Sequence, residues 1–170
     1  ATRDAKIVAH IVKSNPSASI RDFGGDFPAY LVAESERHRI DFRLAMAVIE
    51  KESGWVPGAV GRHGEVGLMQ MLPATGTLVA SRLKDESFRS PRGRDLGTLG
   101  EARASVRYGL EYLHWQVQEF GIGPVSLRAY NRNPSKARVH RPADRYAEDV
   151  AARFLVLVHV LPRAVLAARD

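Results

Sequence analysis

The chain has 170 residues, 45% hydrophobic and 26% charged, a balance that suits one soluble globular domain with an ordinary core. A net charge of +6 and a pI near 10 favour anionic partners, whether nucleic acid, an anionic membrane surface or a bacterial wall. The absence of cysteine excludes disulfides and cysteine-based metal sites, and the longest apolar run, Phe154 to Leu161, is far too short to span a bilayer, which takes about 20 residues.

Ala5, Ile7, Val8, Ile11 and Val12 recur at helical spacing and predict a short amphipathic helix ending before Asn15-Pro16. Ser17 to Asp26 is turn-rich, so residues 1–27 read as an N-terminal helical extension to a main domain over 28–170. Pro28 opens a second helix that runs to about His38, and Asp41 is an N-cap candidate for a third. Gly54 and Pro57-Gly58 stop that third helix, and Gly61, Gly64 and Gly67 punctuate a tight turn or hairpin. At most a two- or three-stranded ribbon is expected there, between Val60 and Met69. Helices follow from Pro73 to Leu83, Glu101 to Phe120, Pro124 to Asn131 and from Pro142 onward. Lys84 to Gly100 and Arg132 to Arg141 read as loops.

Glu52 is the residue in this pattern best suited to chemistry. It lies one turn beyond Val48 on the apolar face of the third helix, in its last turn, whereas Glu50 is about 200° round from Val48 and should point to solvent. Burial and the negative end of the helix dipole both favour the protonated acid at Glu52. A carboxylic acid that keeps its proton near neutral pH is what protonation of a glycosidic oxygen requires. The bland reading, a Glu that snorkels or pairs with an arginine, is not excluded by periodicity.

Glu52-Ser53, Gly67-Leu68-Met69-Gln70 with Pro73-Ala74-Thr75, Ala129-Tyr130-Asn131 and Tyr146 occur in this order at suitable spacing. In these motifs the chain resembles the soluble lytic transglycosylases, bacterial enzymes that cleave peptidoglycan glycan strands; the match covers roughly Pro28 to Phe154. The resemblance implies a mainly α, lysozyme-like α+β fold, helical with a small β-ribbon flanking a glycan-binding cleft. It implies Glu52 as the single catalytic acid and base, with Ser53, Met69, Gln70, Thr75, Tyr130, Asn131 and Tyr146 as substrate-binding residues. The implied products are 1,6-anhydromuramyl sugars. The chain departs from the usual pattern where Gly61 stands for a frequent Ser, Leu72 for Met, and Arg132-Asn133 for Ala-Gly.

Glu65 is the nearest rival carboxylate and could complete a hydrolytic muramidase or chitinase of the same fold. A solvated turn residue is the expectation for it. A third reading is a basic wall- or nucleic-acid-binding protein without catalysis; the intact Glu52 and complete motifs argue against it, and nucleic acid is not an expected partner. Arg132, Lys136, Arg138 and Arg141 follow Asn131 and are candidate contacts for wall polymer. The six histidines show no paired i, i+4 spacing, and no phosphate loop or dinucleotide fingerprint occurs, so neither metal nor cofactor is expected. The resemblance implies a periplasmic or extracellular location, on the expectation that a signal peptide has been removed or trimmed ahead of Ala1.

Overall fold

The computed structural model describes residues 2–14, 23–132 and 145–159, and its regular elements there are all helical. Helix α1 (Arg3–Ser14) starts where the Thr2 hydroxyl accepts from the Ala5 amide at 3.2 Å. Helix α2 (Phe27–Arg37) carries Pro28 in its first turn, where a missing N–H costs nothing. Helix α3 (Phe42–Ser53) is capped as expected, since Asp41 Oδ1 accepts from the Arg43 amide at 2.9 Å. Gly54 ends it in the left-handed region at φ 56°, its amide returning to the Glu50 carbonyl.

Helices α4 (Pro73–Leu83), α5 (Ala102–Phe120) and α6 (Pro124–Asn131) begin and end close to the positions that Pro73, Pro124 and Gly121 predict. A 3-10 turn, Thr98–Gly100, closes the loop before α5. Helix α7 is described over Arg145–His159; the expected start at Pro142 lies outside the described residues, as do residues 17–22 of the turn-rich segment.

Helix α3 is the central element. Ala45, Met46, Ala47, Val48 and Ile49 are all fully buried, because α2 and α7 cover it from different sides. Burying a side chain the size of Val, Met or Ile contributes about 1.5–3 kcal/mol, so this one helix anchors much of the core. Ile7, Val8 and Val12 of α1 join the same core with Phe27 and Leu31 of α2. A smaller cluster, Val66, Met71, Val79, Leu99 and Tyr108, packs α4 against α5 and the 3-10 turn. The buried His38 ring ties α2 to α5, with Nε2 3.1 Å from Glu34 Oε1 and Nδ1 3.1 Å from Glu111 Oε2.

The expected ribbon is corrected. Among the described residues Val60 pairs with Val66, and Val66 with Met71, only as isolated bridges and not as strands. The reason is local. Gly64, Gly67 and Gln70 all have positive φ, so a turn intervenes before any arm can extend beyond one bridging residue. The Gly61 amide donates to the Glu65 carbonyl at 2.8 Å and the Val66 amide to the Met71 carbonyl at 2.9 Å, which holds this turn-rich segment beside the end of α3.

Candidate active site

Glu52 stands in the last turn of α3 on the wall of a cleft of about 220 Å³, with Gln70, Tyr130 and Asn131 on the other sides. Tyr146, on α7, donates its hydroxyl to Glu52 Oε1 at 2.5 Å. Burial pushes the Glu52 carboxyl up to about 7; the nearby Glu65 charge adds to this, while bonds from Tyr146 and Asn131 and the Lys51 charge act against it. A carboxyl balanced near neutrality can give a proton and take one back. Glu50, two residues earlier, lies at the surface with its side chain 41% exposed and 3.6 Å from Arg153 Nε.

Gln70 is held rigidly. It adopts φ 45°, and its amide nitrogen donates to the Ala59 carbonyl at 3.0 Å and the Gly67 carbonyl at 2.9 Å. With both N–H groups used, its side-chain oxygen is the atom left to face the cleft. Tyr130 is buried, and its hydroxyl donates to the Met69 carbonyl at 2.8 Å rather than to Glu52. Burial, then the proximity of Glu52, raise the Tyr130 phenol well above its ordinary range, so it stays a neutral donor.

A second compartment adjoins the first and shares Glu65, Gln70, Tyr130 and Asn131 with it. Thr75, Tyr112 and Arg132 line its far side, with Met71 and Leu72. Of the residues expected to bind substrate, Gln70, Thr75, Tyr130 and Asn131 thus share one two-part groove, and Tyr146 reaches it through Glu52. Ser53 and Met69 are not among the groove's lining residues. The Ser53 hydroxyl turns back to the Ile49 carbonyl at 3.1 Å, and Met69 is fully buried, seated against Gly109 of α5. Lys136, Arg138 and Arg141 lie outside the described residues.

Glu65 departs from expectation. Instead of standing free in a turn, it lines both compartments with its side chain only 26% exposed. Its burial favours the neutral acid, but the amides of Glu65 and His63 and the His63 ring outweigh this and hold the carboxyl below its usual range. Arg62 and His63 flank it on the rim. Nothing local in the sequence marks Arg62 or His63, and the approach of all three residues to Glu52 depends on how the Gly61–Gly67 turns fold back.

Comparison with known proteins shows the family. Residues 29–149 match the family described as Transglycosylase SLT domain. The chain is 33% identical over 95 residues to the soluble lytic murein transglycosylases of Salmonella typhimurium and Escherichia coli, covering 55% of this chain and 14% of theirs. It is 28% identical over 129 residues to Protein IpgF of Shigella flexneri, covering 71% of this chain and 75% of that protein. In three dimensions it shares its fold with an inactive mutant of the lytic transglycosylase Slt from Pseudomonas aeruginosa. That superposition has a TM-score of 0.66 at 19% identity, over 94% of this chain and 30% of the other. The 70 kDa soluble lytic transglycosylase of E. coli gives 0.58 at 21% identity, over 92% of this chain and 26% of the other. The chain therefore spans about a seventh of the murein transglycosylases it matches. With residues 29–149 inside the match, the chain belongs to the Transglycosylase SLT domain family.

Proposed function

We propose that this domain is a peptidoglycan lytic transglycosylase that cleaves the MurNAc–GlcNAc β-1,4 bond, with Glu52 as its only proton donor and acceptor. The observation that carries the reading is the half-buried Glu52 carboxyl, poised at about 7 and oriented by Tyr146 in a groove lined by amides and tyrosines. Glu52 first protonates the departing glycosidic oxygen while the acetamido oxygen of the same sugar closes on the anomeric carbon. Glu52 then takes the proton of the 6-hydroxyl as that oxygen displaces the acetamido group. Intramolecular attack of this kind reaches effective molarities of ~10⁵–10⁸ M, far above bulk water. The product is a 1,6-anhydromuramyl sugar, and neither water nor cofactor is consumed.

Gln70 and Asn131 supply amide groups suited to sugar acetamido and hydroxyl groups. Thr75 and Arg132 would meet the neighbouring sugar or its stem peptide in the second compartment. The net charge of +6 suits a wall rich in carboxylates, and the reading places the domain in the periplasm or outside the cell. Residues 28–170 would form the transglycosylase domain and 1–27 an extension that adds α1 to it.

The position of Glu65 favours one rival, hydrolysis by a water held between two carboxylates. Mass analysis of the muropeptides released from purified peptidoglycan separates the two. Anhydromuramyl products, each lighter by one water, support the proposal; reducing-end muramyl sugars as the main product overturn it.

A further inference from the structure

Gly61 is the key to a second feature of the groove. A Cβ built on Gly61 would collide with Glu65 Oε2 and lie 2.7 Å from Gln70 Oε1. Two acceptor atoms therefore converge beside Gly61, in space that a side chain there would take. They cannot bond each other. The Gln70 amide nitrogen is already committed to Ala59 and Gly67, and the Glu65 carboxylate accepts from the His63 amide at 2.9 Å and faces His63 Nδ1 at 3.2 Å. Converging acceptors on the wall of a cleft call for a donor from the ligand. The same wall holds Glu52, Tyr130 and Asn131.

We infer that Glu65 is a second catalytic residue, which with the Gln70 oxygen accepts the acetamido N–H of the reacting sugar and faces the positive charge that forms there. This inference rests on the transglycosylase reading proposed above. When the acetamido oxygen bonds to the anomeric carbon and the glycosidic bond breaks, the acetamido N–H unit becomes cationic. Glu52 supplies the proton to the leaving oxygen; Glu65 neither gives nor takes one. The 6-hydroxyl oxygen then bonds to the anomeric carbon, the acetamido oxygen leaves, and the hydroxyl proton returns to Glu52. Glu65 strengthens its bond only while the charge exists, which is the condition for lowering a barrier. An ionised acceptor also forms a shorter, stronger bond to a cationic N–H than an amide does. The departure from the usual family residue at Gly61 thus becomes intelligible: a carboxylate from Glu65 fills the space a serine side chain would take.

The test uses soluble glycan strands and the variants Glu65→Gln and Gly61→Ala, with thermal melts to verify folding. Glu65→Gln should lower kcat about 100-fold with little change in KM, while the product remains anhydromuramyl. The alkaline limb of its kcat profile should also move to lower pH. Glu52 is then still faced by Tyr146 from α7, Asn131 from α6, and Lys51 and Tyr130, but no longer by the Glu65 charge. Gly61→Ala pushes the Glu65 carboxylate from its seat and should lower kcat about tenfold. Combined with Glu65→Gln it should cost less than the product of the two single changes, since the added Cβ acts first on Glu65, which it meets most closely. A Glu65→Gln enzyme with wild-type kcat and an unmoved pH profile overturns the inference while leaving the transglycosylase reading intact. Reducing-end sugars from the wild-type enzyme overturn both.

Discussion

The Tyr146 hydroxyl donates to Glu52 Oε1 at 2.5 Å across 94 positions of sequence, joining α7 to the last turn of α3 at the proposed catalytic carboxyl. The bond does two things. It engages Oε1 of the carboxyl, and it stabilises the ionised form against the burial that opposes it. Tyr146→Phe removes that stabilisation, so the Glu52 carboxyl should rise further above about 7. A bond to a charged group is worth about 1.5–3 kcal/mol, roughly one pKa unit or more. The alkaline limb of the rate profile should therefore move to higher pH by about one unit. Rate against pH checks both the direction and the size; a limb that stays in place would separate Tyr146 from the titration of Glu52.

Glu52→Gln keeps the volume and removes the transferable proton. Glycan cleavage should fall by a factor of about 10³ or more while sugar binding persists, and Glu50→Gln, at the surface beside Arg153, should be nearly silent. Stability should move the other way. The carboxyl ionises near 4.5 when unfolded and near 7 when folded, so its contribution is complete below 4.5 and is lost as pH rises through 7. At pH 8 the native enzyme bears that cost, on the order of 2–3 kcal/mol, and the glutamine variant does not. Thermal melts should show Glu52→Gln several degrees more stable than wild type at pH 8 and equal to it at pH 4.

His38 offers a test remote from the chemistry. It is 7% exposed and stands between Glu34 and Glu111, which Arg37 and Arg82 contact from their outer sides. His38→Leu leaves two inward-facing carboxylates without their shared partner, a loss of about 2–4 kcal/mol. Denaturant melts should register this, while kcat of the folded fraction at low temperature stays within about twofold of wild type.

The helices were legible because their punctuation is chemical: Asp41 as an N-cap, Pro28, Pro73 and Pro124 near starts, Gly54 and Gly121 at ends. The position of Glu52 on the inner side of α3 was legible because one helical turn from Val48 is a local fact. The ribbon was not, since the glycines at 61, 64 and 67 announce turns but not the positive φ at Gln70. The seat of Glu65 was hidden for a related reason. Thirteen positions after Glu52, it reaches the cleft only because the chain turns at Gly61–Gly64 and again at Gly67–Gln70. The polar ends of Tyr130 and Tyr146 could equally have exchanged roles on sequence alone; packing of Tyr130 over Met69 assigns them.

Two glycines on the same segment should respond differently to one added methyl group. At Gly61 the atoms met are the ends of the Glu65 and Gln70 side chains, which can swing away, so Gly61→Ala should fold with nearly native stability. At Gly67 the new Cβ would overlap the Leu99 backbone carbonyl and press on Ser105, whose hydroxyl accepts from the Met69 amide at 3.2 Å. Backbone cannot swing aside as a carboxylate does, and Gly67 also has φ 87°, a conformation that strains any L-residue with a Cβ. Relief would require the 3-10 turn to lift from the segment and carry Leu99 out of its cluster with Val66 and Met71. Strain and lost packing together should cost about 3 kcal/mol or more in Gly67→Ala. That variant should melt well below both wild type and Gly61→Ala, and at temperatures where it remains folded it should still be impaired, because Gln70 donates to the Gly67 carbonyl. Equal melting temperatures for the two alanine variants would mean that Leu99 yields freely, and that the glycine of Gly67-Leu68-Met69-Gln70 is not required by its packing against the chain before α5.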